Sequence, residues 1–121
     1  MRVAFFGDIV GKTGRQKLES SLHQYVSSEK IDFVVVNAEN ATSGAGLSAN
    51  HAEDLLNASV DCITLGDHAY DKKEIIPLLA YTKQIVRPIN YSDDCPGRGW
   101  QIFSVNDNKI LVLNVLVRVF M

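Results

Sequence analysis

An α/β fold built on a parallel sheet is what this sequence predicts, on three observations. Three short apolar runs, "RVAFFG" (2–7), "IDFVVVNAEN" (31–40) and "VDCITLGDH" (60–68), end alike in polar or acidic residues. Each run is nearly continuous in hydrophobicity, as strands covered on both faces require, whereas alternation would mark a sheet with one wet face. Segments with helical periodicity lie between them, so the order reads β-α-β-α-β-α.

Taken in order, the first strand leads to Thr13 and Gln16, which have the spacing of a capping box. Leu18, Leu22, Tyr25 and Val26 then fall on one helical face. After the second strand, Ser48 is placed to cap a helix carrying Ala52, Leu55 and Leu56. After the third, Asp71 and Glu74 suggest another box. Pro77 should kink or split the helix it opens, because the proline ring removes an amide donor and clashes with the preceding turn. Beyond residue 83 the pattern changes. "QIVRPINY" reads as a short strand running into a turn and "DDCPGRGW" as a loop, while "WQIFSV" and "KILVLNVLV" flank "NDN" as a hairpin. The closing "VRVFM" ends on an apolar strand, which exposes an edge and a face unless something further covers them. The expectation is one domain over residues 1–121, incomplete at its C-terminus and able to form homo-oligomers through its last strands.

Composition narrows the function classes. The chain has 121 residues, 46% of them apolar, and a formal charge of -2, which speaks against an extended nucleic-acid surface needing clustered Lys and Arg. Lys72-Lys73 is a pair, not a patch. Cys62 and Cys95 lack a C-x-x-C spacing, so neither zinc nor a disulfide framework is suggested and a reducing cytoplasm is expected. No apolar run reaches the length of a signal peptide or a membrane span.

The first loop, "GDIVGKTG" (7–14), has the residue types of a phosphate cradle, but three residues separate Gly7 from Gly11 where the pattern G-x-x-x-x-G-K-[ST] needs one more. A cradle of successive backbone amides depends on that curvature. What stands out instead is Asp8. In open α/β sheets ligands gather outside the carboxyl ends of the strands. Here those ends carry Asp8, then Glu39 and Asn40, then Asp67 and His68. Singly, each has a structural reading: Asp8 as a turn former, Glu39-Asn40 as the start of the loop "NATSGAG", His68 as a hydrogen-bonded structural group. Together they place three carboxylates, an amide and an imidazole at one edge, where a divalent cation would relieve carboxylate repulsion.

"GDIVGKTGR", "NAENATSGAGL", "GDHAYDKKEI" and "VRPINY…CPGRG" resemble the YmdB-like bacterial metallophosphoesterases, a branch of the calcineurin-like phosphoesterase superfamily, over essentially the whole chain. The resemblance implies a four-layer α/β/β/α sandwich, of which this chain is the N-terminal part, with two divalent metals, commonly iron or manganese, at one edge. Residue by residue it implies that Asp8 and Asn40 bind the first metal, Glu39 bridges both, and Asp67 binds the second. His68 stands where the family has its proton donor. The implied activity is hydrolysis of phosphate esters, with 2′,3′-cyclic nucleotides as one substrate class, and paired cations make chemical sense of it by neutralising phosphoryl oxygens and acidifying bound water. The helix beginning after Asp71 could add partial positive charge near the phosphate.

Two departures qualify the resemblance. The family usually has Asn where Asp67 stands, and it draws further ligands from histidines in the second half of its fold. This chain has only His23, His51 and His68, the first two expected to be ordinary surface residues. The flanking Val117 and Val119 around Arg118 also differ from the family's Gly and Thr. An incomplete ligand set leaves a catalytically impaired, dimerising module as the alternative. A GDS-type esterase is excluded because Ile9 occupies the position of the nucleophile.

Overall fold

The computed structural model describes residues 1–117, so the expectations attached to Arg118, Val119 and the closing "RVFM" lie outside the described residues. Strands β1 (Val3–Phe6), β2 (Phe33–Asn37), β3 (Cys62–Thr64) and β4 (Ile85–Val86) form one parallel sheet in the order β1-β2-β3-β4. Helices α1 (Gly11–Glu29), α2 (Ala49–Asn57) and α3 (Ile75–Tyr81) connect successive strands. Strands β5 (Trp100–Val105) and β6 (Asn108–Leu113) pair antiparallel as a separate hairpin.

Right-handed crossovers in an unbroken strand order put every connecting helix on the same face of the sheet. The packing follows this. Val34 and Val36 of β2, Ile63 of β3 and Ile85 of β4 bury against Leu18 and Leu22 of α1, Ala52 and Leu55 of α2, and Ile75 and Leu79 of α3. The opposite face, carrying Phe33, Val35, Cys62 and Val86, packs under Phe103, Val105, Ile110 and Val112 of the hairpin. Both faces of β2, β3 and β4 are thus apolar, which is why their sequences run without alternation. Helices, parallel sheet and hairpin make three layers, α/β/β; the described residues hold no second helical layer of the expected four.

Local starts differ from the sequence reading in instructive ways. Ser48 caps α2 as expected, its side chain accepting from His51 N at 3.3 Å. The Thr13–Gln16 box does not open α1: the helix starts at Gly11, and the cap residue Val10 makes no side-chain bond. The entry is fixed from the end of β2 and the loop after it, with Ile9 N donating to Asn37 O (3.0 Å) and Gly11 N to Asn40 O (2.9 Å). Nor does Asp71 open a helix with Glu74; α3 begins at Ile75, and Glu74 makes no side-chain cap. Pro77 is its third residue, inside the first turn, where an amide has no intrahelical acceptor to lose, so it neither kinks nor splits the helix. The last strand stops at Leu113, short of the predicted 117: Asn114 N still donates to Gly99 O opposite it (3.1 Å), but its carbonyl accepts from Ile89 N (2.8 Å), outside the hairpin.

Candidate active site at the strand ends

Parallel strands deliver their carboxyl ends to one edge, and the predicted residues arrive there in two groups. The first group is Asp8 and Asn40. Asp8 follows β1 with φ 47°, a left-handed conformation that short polar side chains tolerate better than most, and Asn40 Nδ2 donates to Asp8 Oδ1 at 2.7 Å. The loop beyond Asn40 is anchored by the Arg15 guanidinium, which donates to Ala41 O.

The second group is Glu39, Asp67 and His68. The Glu39 carboxyl lies within hydrogen-bonding reach of Asp67, and Asn37 Nδ2 donates to Glu39 Oε1 at 3.4 Å. Burial, and then the contact with Asp67, raises the Glu39 pKa; the Asn37 amide and the His68 ring oppose this. His68 Nε2 stands 3.8 Å from Asp67 Oδ1, and its Nδ1 lies 2.6 Å from Asp71 Oδ2. That bond to Asp71 is the largest influence and raises the His68 pKa; burial opposes it, and the charges of Asp67, Asp71 and Glu39 add to the rise. Neither of the other histidines joins. His23 is exposed, and His51, half-buried and not the surface residue expected, holds its Nδ1 2.7 Å from Thr42 Oγ1.

Carboxylate and amide oxygens are donors of the kind that divalent ions take. Beside them Asn37 Oδ1 is buried without a partner among the described residues, leaving one more oxygen free to accept. Yet among the described residues no three His, Cys, Asp or Glu side chains converge closely enough to hold a metal ion by themselves. The donors fit a cation in kind, as partial sites that need further ligands.

Comparison with known proteins gives the family of the chain. The family model described as YmdB-like protein matches residues 4–121. The chain belongs to the YmdB-like protein family. It is 34% identical over 121 residues to the 2′,3′-cyclic-nucleotide 2′-phosphodiesterase of Bacillus subtilis (strain 168), covering 100% of this chain and 46% of that protein. Among solved structures, a hypothetical protein from Thermus thermophilus superposes with a TM-score of 0.89 at 37% identity, over 100% of this chain and 47% of the other. A structure described as a novel phosphatase from Mycoplasma pneumoniae gives 0.87 at 38% identity, over 95% and 42%. This YmdB-like chain therefore spans less than half the length of the relatives it matches.

Three residues that contact the strand-end group escaped the sequence reading. Asn37 looks like the last residue of an apolar run, but its amide steadies Glu39. Asp71, three residues after His68, reads as a helix cap and instead holds the imidazole. Tyr91 donates from its hydroxyl to Gly66 O and Asp67 O, both at 3.3 Å, fixing the backbone that carries Asp67. Asp71 and Tyr91 lie in the motifs "GDHAYDKKEI" and "VRPINY", and the i, i+3 spacing hints at the contact of Asp71 with His68, but nothing local ties Tyr91 to Asp67, 24 residues away.

Proposed function

We propose that this chain supplies the strand-end part of a metal-dependent phosphoester hydrolase acting on a small phosphodiester such as a 2′,3′-cyclic nucleotide. The observation that carries the reading is His68, standing among carboxylates at the strand ends with Nδ1 held by Asp71 and its pKa raised. It keeps its proton closer to neutral pH than a free histidine does, as a general acid requires. With Nδ1 engaged, Nε2 is left to give a proton to the leaving oxygen. Hydrolysis exchanges the ester P–O bond for a P–O bond to the oxygen of water. The water gives up one proton, the leaving oxygen takes one from His68, and the imidazole is recharged from solvent.

Asp8 and Asn40 would hold one divalent ion and Asp67 a second, with Glu39 between them, and iron or manganese suits these donors. When bound, the ions supply charge neutralisation at the phosphoryl oxygens and a more acidic water. Asp67, where the family usually has an amide, adds a negative charge to the second position. A cytoplasmic setting agrees with two free cysteines, and none of the described helices is long and apolar enough to cross a membrane.

The hairpin favours a second reading. Its outer face leaves Trp100, Ile102, Leu111 and Leu113 exposed, which suits a folded module whose copies pair through β5 and β6 without turnover. The deciding assay follows hydrolysis of a bis-aryl phosphodiester with added Mn²⁺, alongside metal content. The proposed function expects turnover that His68→Ala lowers roughly 10²–10⁴-fold with bound metal unchanged. No turnover in either protein, with a dimer by light scattering, would favour the second reading.

A further inference from the structure

We infer that Gly66 is a positioning residue for the Glu39 carboxylate, and that its lack of a side chain is what lets Glu39 reach Asp67. The inference rests on the reading in which Glu39 is a metal ligand. Four other glycines, Gly11, Gly44, Gly46 and Gly97, have φ values between 59° and 87°, where a left-handed backbone is reason enough for glycine. Gly66 has no such φ, and it is buried. What it provides is space. A Cβ built on its backbone falls on Cδ, Oε1 and Oε2 of Glu39, so the carboxylate occupies the volume a methyl group would take.

An added methyl would be relieved at one place only. The Gly66 backbone is pinned by Ala69 N (3.1 Å) and the Tyr91 hydroxyl (3.3 Å) on its carbonyl, and the preceding residue by Leu65 N to Val86 O (3.0 Å). The Glu39 backbone is pinned as well: Ala38 N bonds to Thr64 O at 3.0 Å, and Gly46 N donates to Glu39 O. The free end of the Glu39 side chain is the element that gives way. It would rotate off Gly66 and away from Asp67, leaving the strands in place. Gly66 thus acts through Glu39, and its effect belongs to ligand placement while the fold tolerates the change.

The test is a double-mutant cycle on the full chain, with Mn²⁺ affinity measured by titration calorimetry and folding by thermal melting. Gly66→Ala is expected to melt close to the parent temperature and to bind Mn²⁺ roughly 10- to 100-fold more weakly, the usual cost of disturbing a group that orients a ligand. Combined with Glu39→Ala it should cause no further loss, since the carboxylate it displaces is already gone. Unchanged affinity in Gly66→Ala, an additive loss in the double variant, or a Gly66→Ala chain that fails to fold each overturns the inference while leaving the metal reading intact. Equal Mn²⁺ affinity in the parent and Glu39→Ala, including none in either, removes the metal reading and the inference with it.

Discussion

The two faces of the parallel sheet are built to different depths. On the helical face, Val36, Ile63 and Ile85 lie under three helices that satisfy their own backbone groups and close a continuous core. On the other face, Phe33, Val35, Cys62 and Val86 lie under one hairpin, while Val3 and Phe5 of β1 on that same face stay exposed. Helices cover more than a two-stranded ribbon can, and the site sits at the edge where the deep face and the shallow face meet. Its carboxylates come from strands anchored by the deep face. Their backbone is steadied by Tyr91, which packs against the deep core, and from the shallow side by Asn114, whose side chain donates to Leu65 O and Val86 O.

If that contrast is right, the costliest truncation is on the helical face. Ile63→Ala removes a fully buried branched side chain from between β2 and β4 and is expected to cost about 3–4 kcal/mol in denaturant unfolding. Phe103→Ala, on the inner face of the hairpin, removes a half-buried ring whose centroid lies 5.0 Å from that of Phe33, and should cost about 2 kcal/mol. It should also free Cys62, whose thiol is pushed up to about 12 by burial, with Asp61 adding to the shift. In a Cys95→Ser background, alkylation of Cys62 at pH 8 is expected to outpace global unfolding in Phe103→Ala, as local lifting of the hairpin would produce. Equal costs at Ile63 and Phe103, with Cys62 protected until the whole chain unfolds, would mean that the two faces are one cooperative unit.

A smaller effect is expected where the faces meet. The His68 pKa is raised above its ordinary 6.5, chiefly by Asp71, so the folded chain holds a proton that the unfolded chain has lost within that window. This contribution to stability is fully present below 6.5 and disappears as pH rises through the folded value. Both side chains are partly exposed, at 39% and 44%, so solvent screening keeps the contribution modest. Asp71→Asn should return the His68 titration, followed by NMR, toward 6.5 and flatten that part of the stability profile. A titration unmoved by the substitution would show that Asp67 and Glu39, not Asp71, hold the proton.

Much of this organisation was legible in the sequence because it depends on local pattern. Apolar runs without alternation marked the parallel strands, and Ser48 announced α2 through its own side chain. What failed was legible only in three dimensions. Thr13 and Gln16 have the spacing of a cap, but Asn37 and Asn40 of a distant segment fix where α1 begins. Asp71 could cap a helix or hold a histidine, and sequence cannot distinguish one carboxylate acceptor from the other. Nothing in the sequence around Gly66 tells that the Glu39 carboxylate fills the space its side chain would take. The strand-end residues were readable as a set, since parallel strands bring their ends together whatever the packing. Their division into an Asp8–Asn40 pair and a Glu39–Asp67–His68 group came only through the family resemblance, because side-chain directions are not written in the residue pattern.

The smallest stability effect is expected on the outermost surface, and it tests the comparison most sharply. On the outer face of the hairpin, Trp100 lies opposite Leu113 and Ile102 opposite Leu111, forming an exposed cross-strand apolar patch. Leu111 is 58% exposed, so in an isolated chain Leu111→Lys removes little packing and should change unfolding free energy by no more than about 0.5 kcal/mol. Its backbone stays in the ladder, and Lys109 nearby already shows that a long cation fits this strand. If two copies pair through this face, a buried ammonium would have no partner there, and the same substitution would shift light scattering from dimer to monomer. Such pairing would also make the parent's melting temperature concentration-dependent where the variant's is not. A cost at Leu111 as large as that at Phe103, at concentrations where the chain is monomeric, would mean that the outer face packs within the chain, and the shallow layer would then have to be counted as deep as the helical one.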